Sequence, residues 1–329
     1  MKVFLLRTLV ILSLVPAVVW SQGLGRDNHA AFEGIWNSAT VTPLERPRQL
    51  GDKAFFTPAE AAEFERQVAR DNEERPPQPG ARNTGTYNTF FREYGTRTVK
   101  TLRTSIVIDP PEGRVPALTE EARQRQASRL AAFRPTSDQS EGRDPGLEPE
   151  GAYDDPERRP LGERCLLGFG STSGPPILPN YFYNNLHQIV QTPTHVMILT
   201  EMVHDARIVR MNAQHLPPTM RFWMGDSIGS WEGDTLVVDT TNFTDKTRYR
   251  GSTPDMHVVE RFTRVDAKTL KYRFTIDDPK TWTKPWTGEY TWPATDERIY
   301  EYACHEGNYA LGNILRGARL REKTLTEKK

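Results

Sequence analysis

From about residue 186 onward, apolar and polar side chains alternate in short runs separated by turn-forming residues. Leu270, Tyr272, Phe274 and Ile276 alternate with Lys271, Arg273, Thr275 and Asp277, a period of two that gives a strand one apolar and one polar face. The same reading predicts strands over Gln188–Thr192, His195–Met202, Ala206–Met211, Ser227–Trp231, Thr235–Phe243, His257–Val265, Trp286–Trp292 and Arg298–Cys304. Glu232-Gly233-Asp234 between two such runs is a hairpin signal. So many short connections predict an antiparallel up-and-down meander that closes into a barrel and so removes its edges, with a β-sandwich as the alternative.

The first half reads differently. Seventeen of the 25 prolines lie between Pro43 and Pro179, whereas five of the seven tryptophans lie between Trp223 and Trp292, so loops dominate early and packing dominates late. Two helices are expected. Thr57-Pro58-Ala59-Glu60 is a capping box with proline at the first helical position, opening a helix to about Glu74. Thr119-Glu120-Glu121 opens another to about Phe133. Thr86–Tyr94 and Arg103–Ile108 read as strands, Asp109–Gly113 as a turn, and Arg114–Leu118 as a short returning strand. Gly34-Ile35-Trp36 resembles the Gly-x-Trp signature of lipocalin-like barrels, which implies a tryptophan closing one barrel end. The expected layout is a leader over 1–21, a first strand with proline-rich helical and loop segments over 22–180, and an antiparallel core over 181–329, all in one structural unit.

Composition narrows the class. Basic and acidic residues number 43 each, without the cationic excess of a phosphate-tracking nucleic-acid binder. A mean hydropathy of −0.65 excludes a multi-span helical membrane protein, and 10% aromatic residues are too many for an intrinsically disordered chain. Lys2 and Arg7 precede a short apolar run, Thr8–Trp20, followed by Ser21-Gln22, the pattern of a cleaved secretory leader. The mature chain would then be periplasmic or secreted and free of the membrane. In that compartment Cys165 and Cys304 either form a disulfide or remain separately buried thiols.

The stretches RTSIVIDPPEGRVPAL (Arg103–Leu118), YNNLHQIVQT (Tyr183–Thr192), WEGDTLVVDTTNFT (Trp231–Thr244), VERFTR (Val259–Arg264) and YACHEGNYALGNILRG (Tyr302–Gly317) together resemble a widespread family of exported proteins of soil bacteria. The resemblance runs from about Phe32 to the C-terminus. It implies export and bacterial origin, and carries no activity, cofactor or catalytic residue.

Candidate chemistry therefore comes from the residues. Glu201, His204 and Arg207 gather a carboxylate, an imidazole and a guanidinium where two strands turn. They read either as a ligand site at a barrel mouth or as a solvated polar turn. His305 and Glu306 follow Cys304 at an expected strand end and suit a pocket rim, or are incidental neighbours of a disulfide anchor. Of Glu260 and Arg261, only one can face a barrel interior, and Arg273 is a possible partner for Glu260. Trp223, Trp231, Trp282, Trp286 and Trp292 offer a stacking surface or core, and Asn185 a hydrogen-bonding amide or a turn cap. Glu201 and His204 with His305 and Glu306 would supply four metal donors if they met, but Glu-x-x-His usually belongs to helices in bundles. The P-loop, HExxH and CxxC are absent.

The resulting expectation is an exported protein without metal or cofactor that processes a carbohydrate or aromatic compound by acid–base chemistry. His204 or His305 would carry the proton, Glu201 or Glu306 would be the second acid, and Arg207, Arg261, Asn185, Trp223 and Trp286 would bind the ligand. A non-catalytic carrier and an assembly module of the same fold are the alternatives. The partner is a small molecule, with no nucleic acid, and the oligomeric state is open.

Overall fold

The computed structural model describes residues 31–72, 93, 95–134, 148–149, 153–168, 174–179, 183–247 and 249–327. The leader expected over 1–21 lies outside them. So do the strand expected over 86–94, apart from Glu93, and most of the stretch 135–160. In chain order the strands are β1 (Gly34–Asn37), β2 (Val107–Asp109), β3 (Phe133–Arg134), β4 (Glu148–Pro149), β5 (Leu186–Gln191), β6 (His195–Thr200), β7 (Asp205–Met211), β8 (Asp226–Glu232), β9 (Thr235–Thr241), β10 (His257–Asp266), β11 (Thr269–Asp277) and β12 (Trp286–Thr295). The helices are α1 (Pro58–Asn72), α2 (Glu120–Ala132) and α3 (Ala310–Glu327).

Strand order β1-β5-β6-β7-β8-β9-β10-β11-β12 returns to β1, because Ile35 pairs Thr295 and Trp36 pairs Ala294, so the sheet is a closed barrel of nine strands. β2 adds outside it on β12, and β3–β4 form a separate small ribbon. The barrel is mixed rather than wholly antiparallel. β7 and β8 run parallel, Val209 beside Ser227 and Met211 beside Gly229, because residues 212–225 carry the chain back across the barrel instead of turning it.

Alternation decides which side chains fill the interior. Leu270, Tyr272, Phe274 and Ile276 have no solvent exposure, and each buried side chain of this size contributes roughly 1.5–3 kcal/mol. Trp36, Phe262, Trp286, Tyr290 and Trp292 join them. Gly288 also faces inward; a Cβ there would stand 2.3 Å from the Phe274 ring, so the missing side chain is what admits that ring. Trp36 is buried beside the last pairs of β12, and its indole N–H donates to Phe32 O at 2.9 Å.

Both expected helices form where their caps place them. Thr57 N–H donates to Glu60 Oε2 (2.8 Å) and Glu60 N–H to Thr57 Oγ1 (3.3 Å), and Ala122 N–H donates to Thr119 Oγ1 (3.0 Å). Two expected strands do not form. Arg114–Leu118 is irregular apart from a bridge between Leu118 and Trp282. Arg298–Cys304 is irregular too, since the edge of β12 away from β11 is already occupied by β1 and β2. The chain instead passes through Cys304 into α3, which the i, i+3, i+4, i+7 spacing of Leu311, Ile314, Leu315 and Ala318 would have signalled. Cys165 and Cys304 are joined by a disulfide.

Candidate functional site

Inside the barrel the aromatic packing is interrupted by a polar layer. Arg207 on β7 reaches across to Glu260 on β10; both terminal nitrogens donate to the carboxylate, Nη2 to Oε1 at 2.9 Å. Tyr272 Oη donates to the same Oε1 at 2.8 Å, and its oxygen accepts Ile177 N–H at 2.9 Å. Tyr290 Oη donates to Ile177 O at 2.9 Å, so the segment Pro175–Leu178 is held against the interior by two phenols. His187 on β5 lies with Nδ1 3.1 Å from Thr200 Oγ1 and Nε2 2.9 Å from Ser38 Oγ, its ring stacked on Trp292 at 4.9 Å. Burial, then the charge of Arg207, pushes the His187 imidazole down to about 3. Burial, followed by the Glu260 charge, pushes the Tyr272 phenol well above its ordinary value. For Arg207, burial opposes the charge but Glu260 outweighs it, and the guanidinium is held more firmly protonated. These groups are fixed donors and acceptors near neutral pH, not proton carriers.

The β6–β7 turn lies at a barrel end. Glu201 is buried and accepts Tyr300 N–H at 3.1 Å, and burial raises its carboxyl above the usual range against the hydrogen bonds from Tyr300 and Asn184. His204 is exposed, with Nδ1 2.9 Å from Tyr302 O. The 300–305 segment therefore covers this turn, but it meets Glu201 and His204 through the backbone of Tyr300 and Tyr302. His305 and Glu306 are exposed beyond it.

The remaining sequence candidates separate. Arg261 faces outward and pairs with Glu232 at 2.7 Å. Arg273 lies opposite Arg261 on the outer face and pairs with Glu289 at 3.2 Å, so the partner of Glu260 is Arg207 and not Arg273. Asn185 is buried and structural: Nδ2 donates to Glu93 O at 3.3 Å, and its own carbonyl accepts Ser38 N–H at 2.9 Å. Trp286 is core, unexposed and edge-on to Phe274 and Trp282. Trp223 is half-buried and lines neither hollow described below.

Two features escaped the sequence reading. The first is a chain of alternating basic and acidic side chains on the outer wall: Arg210 to Asp226 (2.8 Å), Asp226 to His215 Nδ1 (3.0 Å), His215 Nε2 to Asp239 (2.9 Å) and Asp239 to His257 Nε2 (2.9 Å). Strands β7, β8, β9 and β10 and the crossover contribute these residues, and Arg210 and His215 meet the rest only because β7 pairs in parallel with β8, which no local pattern announces. Among the described residues, no group of three or more His, Cys, Asp or Glu is placed to hold a metal ion.

The second is a cleft of about 650 Å³ between α2, the segment 115–118, and the loops at 250–251 and 281–282. Thr119 Oγ1 donates to Lys280 O (2.9 Å), Thr283 N–H donates to Ala117 O (3.0 Å), and Leu118 bridges Trp282, so α2 is fastened beside the barrel end. Val115, Leu118, Ala122 and Trp282 give the cleft an apolar side, and Glu45, Arg125 and Arg250 a charged rim. Arg250 pairs with Glu45 at 3.1 Å, while Arg125 pairs with Glu121 at 2.6 Å and donates to Lys280 O at 2.8 Å. Arg125 also lines a second hollow of about 580 Å³, shared with Arg221, Asp255 and Lys280.

No protein-family model, curated protein or solved structure matches this chain. Among the described residues, no helix is long and apolar enough to cross a membrane.

Proposed function

We propose that this is an exported small-molecule-binding protein whose ligand occupies the cleft between α2 and the barrel end. The single observation carrying this reading is the cleft: concave, of ligand size, apolar on one side and rimmed by a few oriented polar groups. Its charged groups are each held in an ion pair, Arg250 with Glu45 and Arg125 with Glu121 on α2, so it offers hydrogen-bond donors and acceptors on a fixed frame and no poised acid–base couple. That favours binding over turnover. Export is supported by the Cys165–Cys304 disulfide, which persists in oxidising compartments. A lipocalin-like relationship is supported only by the closed barrel with Trp36 in its first strand.

The test is a thermal-shift panel of sugars, phenolics and short-chain carboxylates against the oxidised protein. A ligand at a hundredfold excess over its Kd stabilises the native state by about 2.7 kcal/mol. One chemical class is expected to raise Tm, and the shift is expected to disappear in Leu118→Arg, which fills the cleft from its apolar side. No shift from any class, or a shift indifferent to Leu118→Arg, would overturn the reading.

Acid–base processing of a carbohydrate or aromatic compound is the second reading, favoured by one observation: the buried Glu201 carboxyl, raised above its usual range, beside the exposed His204. Turnover of a bound compound that is abolished in both Glu201→Gln and His204→Ala would establish it. Binding unchanged in both, with no product, would leave the carrier.

A further inference from the structure

One imidazole fastens the β7–β8 crossover to the barrel wall. His215 stands between two carboxylates, with Asp226 Oδ2 3.0 Å from Nδ1 and Asp239 Oδ1 2.9 Å from Nε2. A neutral imidazole has one N–H, so it donates to one carboxylate and turns a lone pair toward the other; only imidazolium donates to both. Asp239 Oδ1 is in turn 2.9 Å from His257 Nε2, so one oxygen ties the crossover, through His215, to the first residue of β10. The same stretch is anchored by Leu216 N–H donating to Asp226 Oδ2 (2.8 Å), by Arg210 Nη2 donating to Gln214 O (3.1 Å), and by Asn242 Nδ2 donating to Leu216 O (2.9 Å).

We propose that His215, Asp239 and His257 form a proton-operated clasp that pins residues 212–222 while the imidazoles are charged and slackens them as the protons leave. The charged groups facing the clasp are Asp226 on β8, backed by Arg210 on β7; Asp239 on β9; and Asp277 on β11, paired opposite His257. The signs agree with this geometry. The hydrogen bond His257 donates to Asp239 raises His257 above the ordinary imidazole value against partial burial, so its contribution is full below that value and is lost as pH rises through the raised one. Burial opposes ionisation of Asp239, but hydrogen bonds from both imidazoles lower it overall. Its contribution is lost only as pH falls through a value below the usual carboxylate range. The bond between Asp239 and His257 is at full strength between those limits, in weakly acidic solution.

Towards its far end the crossover carries Arg221, which donates to Phe243 O (3.0 Å) and Pro254 O (2.8 Å) and lines the second hollow. Slackening 212–220 loosens the approach to that anchor, and the link from there to ligand affinity runs through Arg125, which lines both hollows; this consequence rests on the cleft reading, whereas the clasp itself does not.

The experiment is amide hydrogen exchange of the oxidised protein without ligand, at about pH 5.5 and about pH 8.5, corrected for intrinsic rates. Protection of the 212–222 peptide is expected to fall about tenfold or more at the higher pH relative to β10–β11. In His215→Gln, protection is expected to be low and equal at both. Asp239→Asn, which keeps an acceptor and removes the charge, is expected to flatten the response too and serves if the glutamine variant does not fold. Protection that falls no more than that of β10–β11, or a pH response surviving both substitutions, would overturn the clasp. Absence of any cleft ligand would remove the binding reading and leave the exchange result standing.

Discussion

Arg207 and Glu260 bring a positive and a negative charge to the centre of the barrel, with 3% and no exposure respectively. Desolvating two ions offsets much of their attraction, so the pair adds little net stability, yet removing one partner strands the other. Arg207→Met is therefore expected to lower unfolding free energy by about 3–5 kcal/mol, and Arg207→Met with Glu260→Met to recover most of it, as read from urea unfolding. Glu201 is the opposite case, a buried carboxyl with no ion pair to a cation among the described residues. Because burial raises its pKa in the folded state, the unfolded chain gives up that proton first, and stability falls as pH rises from the ordinary carboxyl value through the raised one. Glu201→Gln keeps the acceptor for Tyr300 N–H and is expected to raise Tm at neutral pH while leaving it unchanged in acid. Neither residue's environment was legible locally. Arg207 looked like part of a turn because its partner lies 53 residues away on a strand with no direct pairing to β7.

At the scale of elements, local chemistry was informative wherever a segment's neighbours were its own residues. The capping box of α1 is an example: Thr57 and Glu60 satisfy each other's backbone N–H groups at three residues' separation. Thr57→Ala is expected to destabilise by about 1 kcal/mol, measured by chemical denaturation. The β8–β9 hairpin is another, with Gly233 at φ 59° in a two-residue loop between Glu232 and Thr235. Arg298–Cys304 shows where that logic ended. Its alternation suits a strand, but strand formation needs a free edge, and β1 and β2 had taken it. The parallel crossover failed to announce itself for the same reason: residues 212–225 contain ordinary turn residues, and only the position of β8 against β7 tells a return from a reversal.

For the whole molecule, closure is the organising fact. A nine-stranded ring leaves no long sheet edge, and β1, drawn from the first half of the chain, completes it between β5 and β12. The disulfide ties residue 165 to residue 304 across a separation of 139, next to contacts of Asn308 with Glu163 O and Cys165. In the chain-entropy account a loop this long is worth about 4–5 kcal/mol. Cys165→Ser with Cys304→Ser is expected to lower stability by up to about that amount and to raise exchange in 296–309 more than in the barrel strands.

What the amino-acid order determined by itself is local: the two-residue period of the strands, the helix caps, the turn at Gly233 and the even pair of cysteines, because each depends on interactions between residues near in sequence or on composition alone. The tertiary structure decided which polar side chains face inward, that Glu260 meets Arg207, that His215 lies between two aspartates, and that α2 and Trp282 bound a cleft. Those are contacts across tens to hundreds of residues, and a contact of that kind exists only once a closed sheet has set the register of every strand.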